Sequence, residues 1–282
     1  MQPIIKWAGG KRKFATQIAG FLGDVEGTYF EPFLGGGAML LHIAPSHAVC
    51  SDINPELINF YDIVKRDVDS LIDLLKTEFV PNHSKAFYYQ IRGWDRNKEE
   101  YANIDPVRRA ARFIYLNKTC YNGLWRVNQD GMNNVPFGRY KRPTILLEED
   151  LRQAAQFFRE NDICFFECDY KELVAKAQKG DLVYFDPPYD VEAGQSEFVS
   201  YTAAGFGRQD QEELKKLCDS LIDRGVKVGI SNSNTQFIRA LYASDKKHSY
   251  ELNEIAPFSR TIGSKPSSRK KTTELIIIGK KK

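Results

Sequence analysis

Residues 27–53 read GTYFEPFLGGGAMLLHIAPSHAVCSDI. An apolar stretch at 27–33 runs into three consecutive glycines, Gly35, Gly36 and Gly37, and an apolar run at 38–43 opens directly from them. A second short apolar run at 48–53 carries Asp52 near its end. Strand, glycine turn, helix, strand and acid, in that order, form the pattern of a nucleotide-binding α/β half. Glycines let the backbone turn tightly beside a ligand, and a helix opening from them points free N–H groups at it. A carboxylate at the tip of the next strand can accept hydrogen bonds from both hydroxyls of a ribose. Gly35 and Gly37 supply G-x-G, but the third glycine of the dinucleotide pattern is not filled cleanly. By itself the unit fits a dinucleotide, S-adenosylmethionine or a tight structural turn.

Outward from this stretch the same grammar recurs. Residues 162–167 (DICFFE) and 181–185 (DLVYF) read as buried strands, the second followed by Asp186-Pro187-Pro188-Tyr189. Residues 209–224 predict an amphipathic helix, 226–231 a further strand and 274–278 the last one. Between 54 and about 145 the alternation stops. Residues 55–79 and 105–117 have helical spacing, and 120–140, rich in Asn, Gly and aromatics, reads as loops or a hairpin. The expected organisation is therefore an α/β domain with a mostly parallel sheet, built from 1–54 and 146–282. A mainly helical subdomain at 55–145 is inserted into it.

The chain has 282 residues, 42% hydrophobic and 27% charged, the balance of an ordinary globular protein. No run approaches the roughly 18 apolar residues of a membrane span, and the first residues lack the apolar core of a secretory signal. Cys50, Cys120, Cys164, Cys168 and Cys218 are odd in number and lack framework spacing, which fits a reducing cytoplasm. Neither these cysteines nor the scattered His42, His47, His83 and His248 have metal-ligand spacing, so no metal site is expected. The net charge is only +3, yet residues 108–142 and 259–282 each hold eight basic residues against one acid. An acidic body with two basic patches suggests a local polyanion footprint.

The Asp186-Pro187-Pro188-Tyr189 element follows a buried strand, so it falls at the carboxyl edge of the sheet, where open α/β folds hold their ligands. Two prolines fix φ twice and remove two donors, leaving a rigid edge that presents carbonyls. The Asp186 carboxylate and the Pro187 carbonyl can each accept one hydrogen of an exocyclic amine while Tyr189 stacks on its ring. Holding both hydrogens turns the nitrogen lone pair out of ring conjugation and towards an electrophile.

With that element the chain resembles the Dam family of DNA adenine-N6 methyltransferases of the D12 class. The match runs from KWAGGK at 6–11 and FEPFLGGGA at 30–38 through SDIN at 51–54 and YNGLWRVN at 121–128. It continues with NVPFGRYK at 134–141, DPPY, FVSY at 198–201 and ISNS at 230–233, in the family's own order. The resemblance implies a Rossmann-like methyltransferase fold with S-adenosylmethionine as cofactor. It puts Trp7, Lys11, Phe33, Gly35, Gly37, Asp52, Asp169 and Asp186 where members bind that cofactor. Asp186, Pro187, Pro188 and Tyr189 fall at the catalytic position.

The resemblance makes the inserted block the DNA reader. Tyr121 would wedge into the base stack, Arg126 read a guanine, and Leu124 with Pro136 meet a thymine methyl. Asn122 and Lys6 fall in reach of bases, and Lys118 and Arg139 at phosphate contacts. Double-stranded DNA is then the partner, usually at GATC. A cognate restriction endonuclease accompanies members that belong to restriction-modification systems. Adenine inside a duplex cannot present N6 to a sulfonium methyl, so the nucleotide has to be flipped out. No cysteine lies in a Pro-Cys motif, which argues against cytosine C5 chemistry. Three other readings stand beside this one: an N4-cytosine methyltransferase, a catalytically silent DNA-binding regulator on the same fold, and a nicotinamide dehydrogenase. The last leaves the DPPY element and the basic insertion without a role.

Overall fold

Apolar side chains alternating to opposite sides build the central sheet. In β1 (Tyr29–Glu31) and β4 (Leu182–Phe185), Tyr29, Leu182 and Tyr184 enter the core on one face; Phe30, Val183 and Phe185 enter the core on the other. The computed structural model describes residues 1–191, 206–258 and 272–282. The FVSY segment at 198–201 and the basic residues Arg260, Lys265, Arg269, Lys270 and Lys271 lie outside the described residues.

The other strands are β2 (His47–Asp52), β3 (Asp162–Glu167), β5 (Lys227–Ser233), β6 (His248–Phe258) and β7 (Thr272–Lys281). They form one seven-stranded sheet in the order β3-β2-β1-β4-β5-β7-β6. The first five run parallel, with Tyr29 opposite both Ala48 and Leu182, whereas β7 is antiparallel to β5 and to β6. The strand order reverses between β1 and β4, which makes the space beyond their carboxyl ends the natural ligand crevice of this Rossmann-like sheet.

Helices cover both faces. On one side, α1 (Ala15–Leu22), α2 (Ala38–Ile43), α3 (Pro55–Arg66), α4 (Val68–Leu74) and α5 (Lys85–Arg92) share a core with α7 (Pro106–Thr119) and α8 (Glu148–Glu160). The short α6 (Lys98–Ala102) lies between α5 and α7 in sequence. On the other side, α9 (Tyr170–Leu173), α10 (Arg208–Asp223) and α11 (Gln236–Leu241) bury Leu173, Leu214, Leu221 and Ile238. The block at 55–145 occupies the crossover between the parallel neighbours β2 and β3. Its first helix packs into the same core as the sheet face itself. Among the described residues, no helix is long and apolar enough to cross a membrane.

Local chemistry sets the boundaries. Asn54 caps α3, its Oδ1 accepting from the N–H groups of Glu56 and Leu57 at 3.1 and 3.3 Å, with Pro55 at the first helical position. Asp105 and Pro106 repeat the device at α7. The helical run expected over 55–79 is broken at Asp67, whose non-helical backbone (φ −147°, ψ 53°) and capping carboxylate start α4 afresh. Residues 120–140 are an open hairpin joined by single bridges, Cys120 to Phe137 and Val127 to Asn133.

The edge strand β6 is an addition to the expected set, because its outward residues Glu251 and Glu254 are exposed and leave no apolar run. His248 is not an isolated residue either. Its ring lies between Asp219, Asp223 and Asp245 at 3.4, 3.3 and 3.5 Å. Lys215 holds both oxygens of Asp219 at 2.7 Å and Tyr250 donates to one of them, so the group is a charge network tying β6 to α10.

Candidate active site

The three glycines do their work against protein side chains. Gly35 (φ +48°) and Gly37 (φ +63°) adopt left-handed backbone, and a Cβ on either would strike the Trp7 indole or the Tyr61 hydroxyl within 2.8 Å. Tyr61 also donates to the Gly35 carbonyl at 3.1 Å. Asp52, at the end of β2, closes the loop from the far side, accepting from Gly35 N–H at 3.1 Å and Asn54 N–H at 3.0 Å. Burial pushes its carboxyl up to about 6 against those hydrogen bonds.

Beyond β4, Asp186 meets Lys11. The ammonium, on a side chain only 4% exposed, lies 2.8 Å from Asp186 Oδ2, donates to Gly9 O at 2.5 Å and sits 4.9 Å from the Tyr189 ring centroid. Asp186 Oδ1 is buried with no hydrogen-bond partner. Burial raises the Asp186 carboxyl and Lys11 opposes that rise. Tyr189 donates to Glu274 on β7 at 3.2 Å, which fixes its ring beside this pair. Pro187 is buried, and among the described residues no donor reaches its carbonyl. The neighbouring Pro188 carbonyl accepts from Gln211 at 2.8 Å.

Glu31, inside the FEPFLGGGA motif, is a further acid of the site, to which the motif alone assigns no role. Glu31 ends β1, is 2% exposed and accepts from Tyr29 at 3.0 Å. Burial drives its carboxyl up to about 8, with the Asp186 charge adding to the rise. A charged residue inside an otherwise apolar strand, four positions before Gly35, was the available signal. Glu31, Asp52 and Asp186 thus line one sheet edge with raised carboxyls, and Lys11 is the cation that pairs with Asp186. The edge suits a ligand that brings positive charge.

The remaining expected residues spread outward. Phe33 stacks on Tyr170 with ring centroids 5.1 Å apart and meets Phe206 edge-on at 5.9 Å. Asp169, exposed at the end of β3, caps α9 by accepting from Lys171 N–H at 2.9 Å. Trp7 lies against the glycine turn and 6.4 Å from the Phe113 ring.

The hairpin presents Tyr121, Arg126, Pro136 and Arg139 to solvent, with Asn122 and Leu124 half-buried. Asn122 (φ +57°) and Arg139 (φ +55°) hold left-handed backbone, a conformation a side chain adopts only under constraint. The Tyr121 N–H donates to Pro136 O at 2.8 Å, so the two arms carry each other. Arg126 donates from Nε to Asn134 Oδ1 at 2.7 Å, which sets the plane of its guanidinium. Beneath, Asp95 accepts from Asn133 N–H at 2.7 Å and from the fully buried Arg112 at 2.6 Å. Lys6 crosses Gly123 and places its ammonium 4.7 Å from the Tyr140 ring centroid.

Lys118 departs from its expected place. It is buried, its ammonium donates to the Ile4 carbonyl, and burial with the nearby Lys6 charge pulls its pKa down to about 8. A side chain turned inward to hold the N-terminal segment does not offer itself to a phosphate. Its position on the last turn of α7 looked the same in sequence as one facing outward.

Residues 7–256 match the family model of the D12 class N6 adenine-specific DNA methyltransferases. The chain is 39% identical over 277 residues to a type II methyltransferase, M1.LlaDCHI, of Lactococcus lactis subsp. cremoris, covering 98% of this chain and 95% of that one. It is 40% identical over 260 residues to the type II methyltransferase M.MjaIII of Methanocaldococcus jannaschii, covering 86% and 88%. It is also 36% identical over 279 residues to the DNA adenine methylase of Escherichia coli K12, covering 98% and 95%.

Proposed function

Because the chain belongs to the D12 class of N6 adenine-specific DNA methyltransferases, we propose that it methylates, from S-adenosylmethionine, an adenine flipped out of double-stranded DNA within GATC. The observation that carries this reading is the pairing at the β4 edge. Asp186 keeps one oxygen on Lys11 and leaves the other buried and unpaired, and the next residue, Pro187, contributes a carbonyl to the same turn. Two acceptors of that kind, next to the Tyr189 ring, match the –NH2 of a planar base.

When bound, S-adenosylmethionine supplies an electrophilic methyl on a positively charged sulfur. The residues fit it. Glu31 and Asp52 are buried with raised carboxyls and make no ion pair among the described residues, and a sulfonium with an α-ammonium would bring positive charge beside them. Asp52 retains lone pairs for ribose hydroxyls after its two backbone hydrogen bonds, since a carboxylate has about four acceptor sites. Trp7, Phe33, Gly35 and Gly37 wall the same edge, and Asp169 stands at its β3 end.

Asp186 Oδ1 and the Pro187 carbonyl each take one N6 hydrogen, Tyr189 stacks on the ring, and Lys11 keeps the carboxylate oriented. Bonding to the methyl carbon would leave N6 cationic with one hydrogen too many, while the broken carbon–sulfur bond's electron pair would leave with the neutral thioether; Asp186 is the group in position to receive that proton. The rest is positioning and exclusion of water. We assign residues 55–145 to target recognition, with Tyr121 as wedge, Arg126, Asn122, Leu124, Pro136 and Lys6 at base edges, and Arg139 at phosphate. The type II names of two relatives support a companion restriction endonuclease of the same specificity.

Modification mapping of DNA from cells expressing the chain tests the proposal, with Asp186→Asn beside it. N6-methyladenine at GATC, lost in the variant, is the expected outcome. An Asp186→Asn loss of about 10²–10³ in rate corresponds to one removed transition-state contact. N4-methylcytosine, or no modified base with the wild-type chain, overturns it.

A further inference from the structure

Two consecutive carbonyls follow Asp186, and the reaction uses the first. The structure occupies the second. Gln211, fully buried on the first turn of α10, donates from Nε2 to Pro188 O at 2.8 Å. Its Oε1 in turn accepts from Asn232 Nδ2 at 3.0 Å, and Asn232 is fully buried on β5. The Asn232 Oδ1 is fixed by the N–H of Ser233 at 2.8 Å and of Asp190 at 3.3 Å. With that oxygen committed to donors, Asn232 presents its NH2 to Gln211, and Gln211 must present its own NH2 to Pro188. The relay has one direction.

The far end of the turn is held as firmly. Asp190, 9% exposed, accepts at its carboxylate from Thr235 at 2.7 Å and Arg208 at 3.1 Å, and its carbonyl accepts from Ser233 Oγ at 2.6 Å. These bonds give the ISNS motif at 230–233 a task, since Asn232 and Ser233 both hold Asp190 and Asn232 also sets Gln211.

We propose that Gln211, set by Asn232, is a positioning residue for methyl transfer: it captures the Pro188 carbonyl and so keeps the Pro187 carbonyl turned to the target amine. The inference rests on the adenine-N6 reading of the same site. Gln211 touches neither base nor cofactor, and acts through the two-proline turn. A peptide released at Pro188 can rotate, and rotation there re-aims the carbonyl beside it. A misplacement of about 1 Å at a reacting group can cost about 10²-fold in rate.

The test is steady-state and single-turnover methylation of a duplex containing the mapped site, by the full chain. Gln211→Met keeps the length of the side chain but has no group that can donate to Pro188. Asn232→Asp keeps the acceptor that Ser233 and Asp190 use, but removes the donor that orients Gln211. Both variants are expected to lose about 10- to 100-fold in kcat, with KM for DNA and cofactor affinity within about twofold of the parent. A variant that retains kcat within twofold while folding normally overturns the proposal. So does a loss spread equally over kcat, DNA affinity and cofactor affinity, the mark of a merely structural role. If Gln211→Met fails to fold, Asn232→Asp carries the same test. Failure of the adenine reading is seen separately, as absence of N6-methyladenine with the parent chain.

Discussion

The side-chain amide of Asn117 clasps the main chain of Lys6, accepting from its N–H at 2.9 Å and donating to its carbonyl at 2.7 Å. The same NH2 lies 3.4 Å from the Gly123 carbonyl in the reading loop. One fully buried residue thus joins the hairpin to the segment that carries Lys11 towards Asp186. Asn117→Ala strands the partly buried N–H and carbonyl of Lys6. It is expected to cost about 1–3 kcal/mol, read from urea denaturation. A change within a few tenths of a kcal/mol would show that water replaces the amide there.

Glu31 gives the protein a pH dependence of stated sign. Burial raises its carboxyl from an ordinary 4.5 to about 8. The native chain therefore holds a proton that the unfolded chain gives up, and stability falls as pH rises between those values. Glu31→Gln, which carries no charge at any pH, is expected to flatten that fall in urea midpoints compared across the window. An unchanged slope would assign the proton to another group.

The same acids predict proton release. A cationic ligand beside Glu31 and Asp52 lowers both carboxyls, which stand at about 8 and about 6 without it. Near pH 7, binding of S-adenosylmethionine should release protons. Calorimetry in buffers of different ionisation enthalpy reads the number and sign. No buffer dependence would mean that the ligand's charge lies away from these acids.

Tyr189 is proposed to work through its face. Tyr189→Phe gives up the hydroxyl and its hydrogen bond to Glu274, whereas Tyr189→Ala removes a stack worth about 1–3 kcal/mol. Turnover should fall by about 10- to 100-fold in Ala and far less in Phe. Equal losses would move the work to the hydroxyl.

Arg126 and Arg139 separate reading from holding. With its Nε on Asn134, Arg126 has its two terminal nitrogens for a bidentate guanine contact, so Arg126→Ala should relax one base pair by about 1–3 kcal/mol. Arg139→Ala should instead weaken all sequences alike and reduce the salt slope by about one unit. Methylation rates on GATC and its single-base variants, with affinity followed against salt, distinguish the two. Uniform loss for Arg126→Ala would make it a phosphate contact.

Sequence by itself determined the parts whose physics is local. A glycine turn between an apolar strand and an apolar helix, Asp52 at the next strand's tip and two prolines after Asp186 each constrain only their neighbours, and each stands where the pattern put it. Pairing across the chain was decided by the tertiary structure. Lys11 and Asp186 are 175 positions apart, and nothing in KWAGGK says which acid its second lysine meets. Lys118 turned inward, Glu31 kept its proton and Gln211 reached Pro188 because the fold removed water from those places. Desolvation and the partners that compensate it depend on where distant segments return, and a spacing rule contains neither.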